Sequence, residues 1–287
     1  MYIYKAFGLV IQSELLLPEL VITEGAPDLV IRLGKVDGLA PTSVISSYIA
    51  RTALGTIWLH DGHELVIDPA PKVEEPILRN FILGPVLAAL LRQRGLLAFH
   101  ASSIAINGSA IAFLGRAGWG KSTLVEAFYT QGYSIVTDDL LAIQISTSRP
   151  VVFPSFPQVK LWPDVATSLG YIIENLPRMH SYSEKRVHCV NDGFSQTALP
   201  LKRIYVLAED RHPKIEVLNL RDALIELIKH SHGVTLLKIP DLAESNFSQC
   251  TALVKHVPIC RLKRPRSLSQ LSNSVKLVEH HFAQTIC

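Results

Sequence analysis

The chain has 287 residues, of which 48% are hydrophobic and 18% are charged. This composition supplies enough apolar side chains for a large core and excludes an intrinsically disordered or collagen-like chain. The formal net charge of +3 is too close to balance to indicate a protein that coats nucleic acid. A chain of this length is typical of one large domain or two modest ones.

The cysteine spacing and the hydropathy pattern indicate the cellular compartment of the protein. Cys189, Cys250, Cys260 and Cys287 show no C-x-x-C spacing, so a zinc site or redox pair is not indicated, and we expect reduced thiols. The N-terminus lacks the pattern of a signal peptide. The longest strongly apolar run, residues 81–91, is shorter than the roughly 20 residues that span a bilayer. We therefore predict a cytoplasmic protein without a membrane or nucleic-acid partner.

Short apolar runs separated by turn residues predict a small, mainly antiparallel β-rich unit at the N-terminus. The predicted strands are residues 6–11, 20–23, 28–33, 56–60 and 64–67. Asp61-Gly62 is typical of a hairpin turn, and the breaks at 25–27 and 41–43 fit loops. The stretch 69–76 is the candidate boundary, giving an N-terminal domain of residues 1–72 and a second domain of residues 73–287.

From residue 77 the apolar residues follow a helical period up to residue 90. Pro85 is expected to kink this helix, and Gly95 to cap its C-terminus. A β-rich stretch at 96–106 then leads through an Asn107-Gly108 turn to a strand at 110–114.

The remaining elements predict an α/β fold. A helix at 121–131 and strands at 134–137 and 140–145 precede a segment, 146–195, that five prolines mark as loop-rich. Strands are predicted at 204–207, 214–218 and 259–262, and helices at 222–229, 244–256 and 268–282.

The loop between the strand at 110–114 and the following helix carries the strongest motif. Its residues Gly115, Arg116, Ala117, Gly118, Trp119, Gly120, Lys121 and Ser122 fit G-x-x-x-x-G-K-[ST] in full. Backbone N–H groups of such a loop hold phosphate oxygens, the lysine neutralises phosphate charge and the serine hydroxyl binds Mg²⁺. These residues and Thr123 are the predicted nucleotide-binding set. Trp119 either packs against the protein or stacks on a base.

Two carboxylates and a histidine accompany this loop. Asp138 and Asp139 end a predicted strand beside it, where one carboxylate can serve a metal ion and the other can accept a proton from an attacking hydroxyl. His100 lies in the β-rich stretch before the loop strand. By itself a histidine in an apolar stretch is more often a satisfied core residue.

Three segments together resemble the catalytic domain of HPr kinase/phosphorylase, a fold related to phosphoenolpyruvate carboxykinase. They are Phe99-His100-Ala101-Ser102, the loop at 115–122, and Gly132-Tyr133 followed by Val136-Thr137-Asp138-Asp139. The resemblance implies a P-loop kinase that uses ATP and Mg²⁺. It assigns Asp138 as the general base on a serine hydroxyl, and places His100 beside Asp138 and the transferring phosphate. Lys121 and Ser122 would serve ATP and the metal, with Asp139 as the second predicted metal ligand.

The whole chain looks like stand-alone HPr-kinase-related proteins. The shared segments are Ala6-Phe7-Gly8-Leu9, Ser13-Glu14-Leu15, Leu17-Pro18-Glu19-Leu20, Leu161-Trp162 and Ser183-Glu184-Lys185-Arg186. Several such proteins phosphorylate a serine near the C-terminus of a ribosomally made peptide precursor, including lasso peptides. HPr kinases also form rings, so a homo-oligomer is a further expectation.

Two basic segments are weaker candidates. Lys185 and Arg186 lie in a polar segment that can close over a nucleotide, where a cation would stabilise the transferring phosphoryl group; the alternative is a solvated charge run. The basic run at 261–266 is interpreted as solvated surface, with attraction of a phosphate or an acidic peptide as the alternative.

The leading hypothesis is an ATP-dependent serine kinase acting on a peptide or protein. The alternatives are a kinase of a small metabolite and a nucleotide-binding regulator that transfers no phosphate. The acceptor that becomes phosphorylated distinguishes the three.

Overall fold

The computed structural model describes residues 1–36, 47–145, 149–232 and 240–284. The loop predicted at 41–43 and Cys287 lie outside these ranges. Cys189, Cys250 and Cys260 are free thiols, as the spacing predicted. In the described ranges, no helix combines the length and the apolar character needed to cross a membrane.

The N-terminal residues form a seven-stranded sheet in the order β3-β1-β2-β4-β7-β6-β5. Its strands are β1 (Tyr2–Ala6), β2 (Leu9–Ser13), β3 (Val21–Ile22), β4 (Leu29–Leu33), β5 (Ser47–Thr52), β6 (Gly55–His60) and β7 (Glu64–Pro69). The sheet is mixed, because β4 runs parallel to both β2 and β7, whereas the other neighbours are antiparallel. The Asp61-Gly62 turn between β6 and β7 is confirmed, with positive φ at both residues.

The strand predicted at 6–11 is wrong at its start. Ala6 pairs with Leu9 across a tight turn in which Phe7 and Gly8 both have positive φ. The Phe7 ring is buried and meets Phe156 edge to face, so packing holds an aromatic residue in a conformation that usually selects glycine or asparagine. The hydrophobic run therefore marks a hairpin rather than one strand.

A broken helix packs against this sheet. It consists of α1 (Glu75–Phe81), a π-helical turn (Ile82–Val86) and α2 (Leu87–Gln93). The expected kink at Pro85 takes the form of this π turn, since proline has no N–H to continue the α-helical bonds. Its apolar face shares one core cluster with the N-terminal strands, and Gly95 follows α2 with a φ of 77°. The domain boundary near residue 72 stays a prediction.

The second sheet has nine strands and forms the centre of the fold. Seven follow the order β11-β9-β10-β16-β13-β12-β8, while β18 pairs with β16 and β17. The strands are β8 (Leu97–Phe99), β9 (Ala101–Ile106), β10 (Ser109–Leu114), β11 (Ser134–Thr137), β12 (Leu141–Gln144), β13 (Val151–Phe153), β16 (Leu199–Glu209), β17 (Lys214–Val217) and β18 (Ile259–Arg264). A separate antiparallel pair is formed by β14 (Gln158–Leu161) and β15 (Arg186–Cys189).

Helices cover both faces of this sheet, which gives the predicted α/β architecture. They are α3 (Lys121–Tyr129), α4 (Pro163–Ser168), α5 (Leu220–His230), α6 (Pro240–His256) and α7 (Leu271–Ala283). One apolar cluster joins the sheet to α3 and α7, and another joins its opposite face to α5 and α6. The fold is thus layered, with the strand ends free to build a site.

The predicted β-rich stretch 96–106 is confirmed. It consists of β8, which pairs with β12, and β9, which pairs with β10, and His100 lies between the two strands. The segment at 146–195 was predicted as loop-rich, but its described part contains β13, β14, β15 and α4. Its prolines lie between or at the ends of these short elements, where they remove no sheet hydrogen bond.

Candidate active site

A cavity of about 510 Å³ opens where β10 meets α3. The residues of 115–122, named here the glycine loop, connect the two elements. Gly118 and Gly120 have φ angles of 77° and 81°, which a residue with a side chain rarely adopts. No side chain caps the N-terminus of α3. The glycine loop therefore presents free backbone N–H groups and the positive end of a helix to the cavity, which is the arrangement that binds phosphate.

Lys121 is folded back onto the glycine loop. Its Nζ donates hydrogen bonds to the carbonyl oxygens of Gly115 (2.8 Å) and Arg116 (3.3 Å). Burial lowers the pKa of Lys121, and the nearby carboxylates of Asp139 and Asp138 oppose that shift without cancelling it. An anion in the cavity would restore a charged partner to this ammonium group.

Asp138 lies behind the cavity wall, with only 3% of its surface exposed. Its Oδ1 accepts a hydrogen bond from the Ser102 hydroxyl (2.5 Å), and its Oδ2 accepts one from the backbone N–H of Lys160 (3.1 Å). The nearby Ser122 hydroxyl of the glycine loop favours the ionised form of this carboxylate and so opposes a rise of its pKa. Burial and the charge of Asp139 raise the pKa of Asp138 to about 6.

Asp139 lines the cavity itself. It occupies the turn between β11 and β12 with a φ of 67°, a conformation that costs a non-glycine residue free energy and is concentrated at functional sites. Its Oδ2 lies 2.9 Å from Nζ of Lys160. Burial raises the pKa of Asp139, but the charges of Lys160, His100 and Lys185 outweigh it, so the pKa lies well below its usual range.

The pKa of Asp138 predicts how stability depends on pH. The carboxyl group titrates near 3.8 in the unfolded chain and near 6 when folded, so between these values the folded state retains a proton that the unfolded state has lost. The free energy of unfolding must therefore fall as pH rises through this window. Between pH 4 and pH 7, the free energy of unfolding measured in urea should therefore decrease less in Asp138→Asn than in the unmodified protein, by on the order of 2 to 3 kcal/mol.

A carboxylate whose pKa is shifted in the opposite direction provides the control. Hydrogen bonds from Lys214 and Lys263 lower the pKa of Glu216 from its ordinary value of 4.5 to about 2. Glu216→Gln should therefore change the pH dependence of the unfolding free energy only below about pH 4.5. An unchanged slope in Asp138→Asn would contradict the raised pKa.

His100 faces this carboxylate pair from the break between β8 and β9. Its Nδ1 lies 3.0 Å from the backbone carbonyl oxygen of Asp139. A carbonyl can only accept, so Nδ1 carries the proton and Nε2 of the neutral ring keeps its lone pair. Burial, followed by the charge of Lys121, lowers the pKa of His100, which favours that neutral form.

Three basic residues of the cavity wall were missed or misread from sequence. Lys160 links two side chains, since its Nζ contacts Asp139 and also donates a hydrogen bond to Oδ1 of Asn80 (2.8 Å). Arg264 is 4% exposed and donates to the carbonyl oxygen of Trp119 (3.2 Å), while Arg266 donates to that of Gly118 (2.8 Å). The interpretation of 261–266 as solvated surface is therefore wrong at Arg264, whereas Arg266 is exposed. The sequence feature that could have indicated a site role for Arg264 and Arg266 is their position just after the end of a predicted strand.

The structure brings most of the predicted site residues together. The cavity is lined by His100, Ala117, Gly118, Trp119, Gly120, Lys121, Ser122, Thr123, Asp139 and Lys185. Gly115 and Arg116 contribute carbonyl oxygens to Lys121 without lining it. Arg186 does not reach the cavity: it pairs with Leu161 in the β14–β15 ladder, and its guanidinium donates to the Leu176 carbonyl oxygen at 3.4 Å.

Comparisons with known proteins add little. No protein-family model matches the sequence, and no curated protein matches it. Among solved structures, the chain is similar to the Hpr(Ser) kinase/phosphatase from Coxiella burnetii, with 12% sequence identity and a TM-score of 0.37, over 66% of this chain and 99% of that chain. This likeness is too low to carry an argument, so the proposals that follow rest on the geometry of this chain.

Proposed function

We propose that the protein transfers the γ-phosphoryl group of ATP to a serine hydroxyl of a peptide or protein. The observation that carries this proposal is the position of Asp139. Its carboxylate lines the same cavity as the glycine loop and Lys121. A carboxylate that faces an anion site repels a bound phosphate unless a cation or the hydroxyl of an acceptor lies between the two groups. A phosphoryl transferase needs such a group to hold the acceptor hydroxyl.

The glycine loop would hold the phosphates of ATP. Its free N–H groups and the N-terminus of α3 supply hydrogen bonds and positive potential. Lys121 would exchange its loop carbonyls for phosphate oxygens. Arg264 and Arg266 line the same cavity and add positive charge next to Gly118 and Gly120.

The residues present fit a magnesium ion. The Ser122 hydroxyl and the Asp138 carboxylate are hard oxygen donors, and Ser122 is near enough to influence the pKa of Asp138. Within the described ranges, no group of three or more acidic, histidine or cysteine side chains is arranged around a metal position, so substrate oxygens and water would complete the shell. When bound, Mg²⁺ would neutralise phosphate charge. This geometry favours Asp138 as the metal ligand, where the sequence predicted Asp139.

Asp139 then takes the role that the sequence assigned to Asp138. Its carboxylate accepts a hydrogen bond from the serine hydroxyl and takes the proton as that oxygen bonds to phosphorus and the bond to ADP breaks. A carboxylate of low pKa suffices, because the hydroxyl loses its proton late in a loose transition state. Lys160 holds Asp139 in place, and His100 fixes the backbone of the turn.

A polypeptide acceptor is favoured over a small metabolite by the rim of the cavity. Trp162 is 49% exposed and lies beside Lys185, whose Nζ is 5.8 Å from the ring centroid. Tyr182, on the same segment as Lys185, is 81% exposed. Exposed aromatic and cationic side chains at an opening are typical of surfaces that bind peptides. A ribosomally made precursor with a serine near its C-terminus belongs among the acceptors to be tested.

The test is label transfer. The protein is incubated with γ-labelled ATP, Mg²⁺ and serine-containing peptides, and we expect the label on peptide serine. Because Lys185 contributes charge near the transferring group, Lys185→Ala should lower the rate by about tenfold. Arg186→Ala, whose side chain faces away from the cavity, should lower it less than threefold if the protein stays folded. Label found on a small molecule, or only as inorganic phosphate, would contradict the proposal.

A further inference from the structure

A second cavity, of about 740 Å³, lies at the opposite edge of the central sheet. It is formed by the turn between β9 and β10, the start of β16 and the C-terminal ends of α6 and α7. The strand β10 begins at this cavity with Ser109 and ends at the glycine loop. Six residues at about 3.3 Å each separate the two ends by roughly 20 Å, so the cavities are distinct sites.

The polar lining of this second cavity is basic. Its members with charged, titratable or hydrogen-bonding side chains are Asn107, Ser109, Arg149, Lys202, Arg203 and His256. No aspartate or glutamate occurs among the described residues that line it. Cations of one sign gathered in a concave site raise the local concentration of anions.

Arg203 is pre-organised for an anion. It is 6% exposed, and its Nη1 lies 3.1 Å from Nδ1 of His281. The Tyr205 hydroxyl lies 3.0 Å from the same ring nitrogen. Because a guanidinium can only donate hydrogen bonds, the imidazole of His281 accepts one from Arg203 and fixes one edge of the guanidinium group. A guanidinium held in this way places a fixed positive charge in the cavity wall, with little side-chain entropy left to lose when an anion binds.

The remaining wall of the second cavity is apolar, with Phe282 and three prolines. A cavity of this volume suits a small organic ligand rather than a polymer. We propose that it binds a small molecule that carries a phosphate monoester on an apolar body. The basic side contacts the phosphate, and Phe282 with the prolines contacts the body.

The test uses phenyl phosphate as the probe, with benzoate and citrate as non-phosphate anions, in isothermal titration calorimetry. The glycine loop is expected to bind phosphate as well, so the titration is run on Lys121→Ala. We expect saturable binding of phenyl phosphate with a Kd below about 1 mM, and at least tenfold weaker binding of benzoate and citrate.

Variants locate the binding site. Lys202 and Arg149 are exposed at the rim, so Lys202→Glu and Arg149→Glu should fold, and each should weaken binding by about tenfold. Lys276→Glu, on the exposed side of α7 and outside both cavities, is the matched control and should change Kd less than twofold. Equal affinity for citrate, absence of saturable binding, or binding that both rim variants leave unchanged would each overturn the proposal.

Discussion

Substitution of Asp139 by asparagine is expected to lower kcat for phosphoryl transfer by about 10³-fold. The amide has nearly the same size and still accepts a hydrogen bond from Lys160, but it cannot take a proton from the acceptor hydroxyl. In the proposed mechanism the glycine loop and Lys121 hold ATP, so KM for ATP should change by less than a few-fold. The measurement is steady-state label transfer at pH 7, with the fold checked by circular dichroism.

Two further variants separate the roles of the carboxylates. Asp164 is exposed and lines the rim of the same cavity, so Asp164→Asn should leave kcat within threefold and controls for loss of a nearby negative charge. Asp138→Asn should raise the Mg²⁺ concentration needed for half-maximal rate, because this carboxylate is the proposed ligand of the metal ion. If Asp138→Asn abolishes transfer at every Mg²⁺ concentration while Asp139→Asn stays active, the assignment from sequence is right and the exchange proposed here is wrong.

The parts of the site that were predictable are those encoded in contiguous residues. The glycine loop needs glycines at fixed positions between one strand and one helix, and that context is local. Residues 138 and 139 were recognisable for the same reason, since both follow a short apolar strand. What each carboxylate faces was not predictable, because alternation of side chains is lost in the turn where Asp139 adopts its positive φ.

The contribution of Lys160, Arg264 and Arg266 depends on sheet order instead. Lys160 reaches the carboxylates because β14 passes behind the β11–β12 turn, as its N–H bond to Asp138 shows. Arg264 reaches the glycine loop because β18 lies beside β16, which itself lies beside β10. Periodicity within one segment carries no information about such non-local neighbours, so a basic residue at a strand end looks like solvated surface.

His100 illustrates how packing overrides a local pattern. The β-rich stretch 96–106 contains two strands because its halves pair with different neighbours: β8 pairs with β12, and β9 pairs with β10. The break places the histidine in the cavity. A resemblance to known kinases suggested the residue, whereas residue pattern alone favoured a core histidine.

Replacement of Glu126 by alanine is expected to lower the free energy of unfolding by about 1 to 3 kcal/mol. Glu126 lies on α3, directly behind the glycine loop, and its side chain is fully buried. It accepts a hydrogen bond from the Tyr171 hydroxyl, and its Oε1 lies 2.8 Å from Nδ1 of His188 in β15. Alanine would leave the Tyr171 hydroxyl without this acceptor and remove the carboxylate beside the partly buried His188 ring, and a polar group that loses its partner is costly.

The contrast with an exposed pair makes this prediction specific. Arg178 and Glu184 approach to 3.1 Å, but their side chains are 48% and 60% exposed, so Glu184→Ala should cost less than about 1 kcal/mol. Glu126→Gln retains an acceptor oxygen for Tyr171 and should fall between the two. Urea unfolding of the three variants at one pH measures the order of their unfolding free energies.

The same substitution should affect the cavity wall that carries Lys185, because β15 begins one residue after this lysine. Glu126→Ala should loosen that wall, which would be seen as faster amide hydrogen exchange in β15. Equal stability of Glu126→Ala and Glu184→Ala would show that the contacts between α3 and β15 contribute little to the fold.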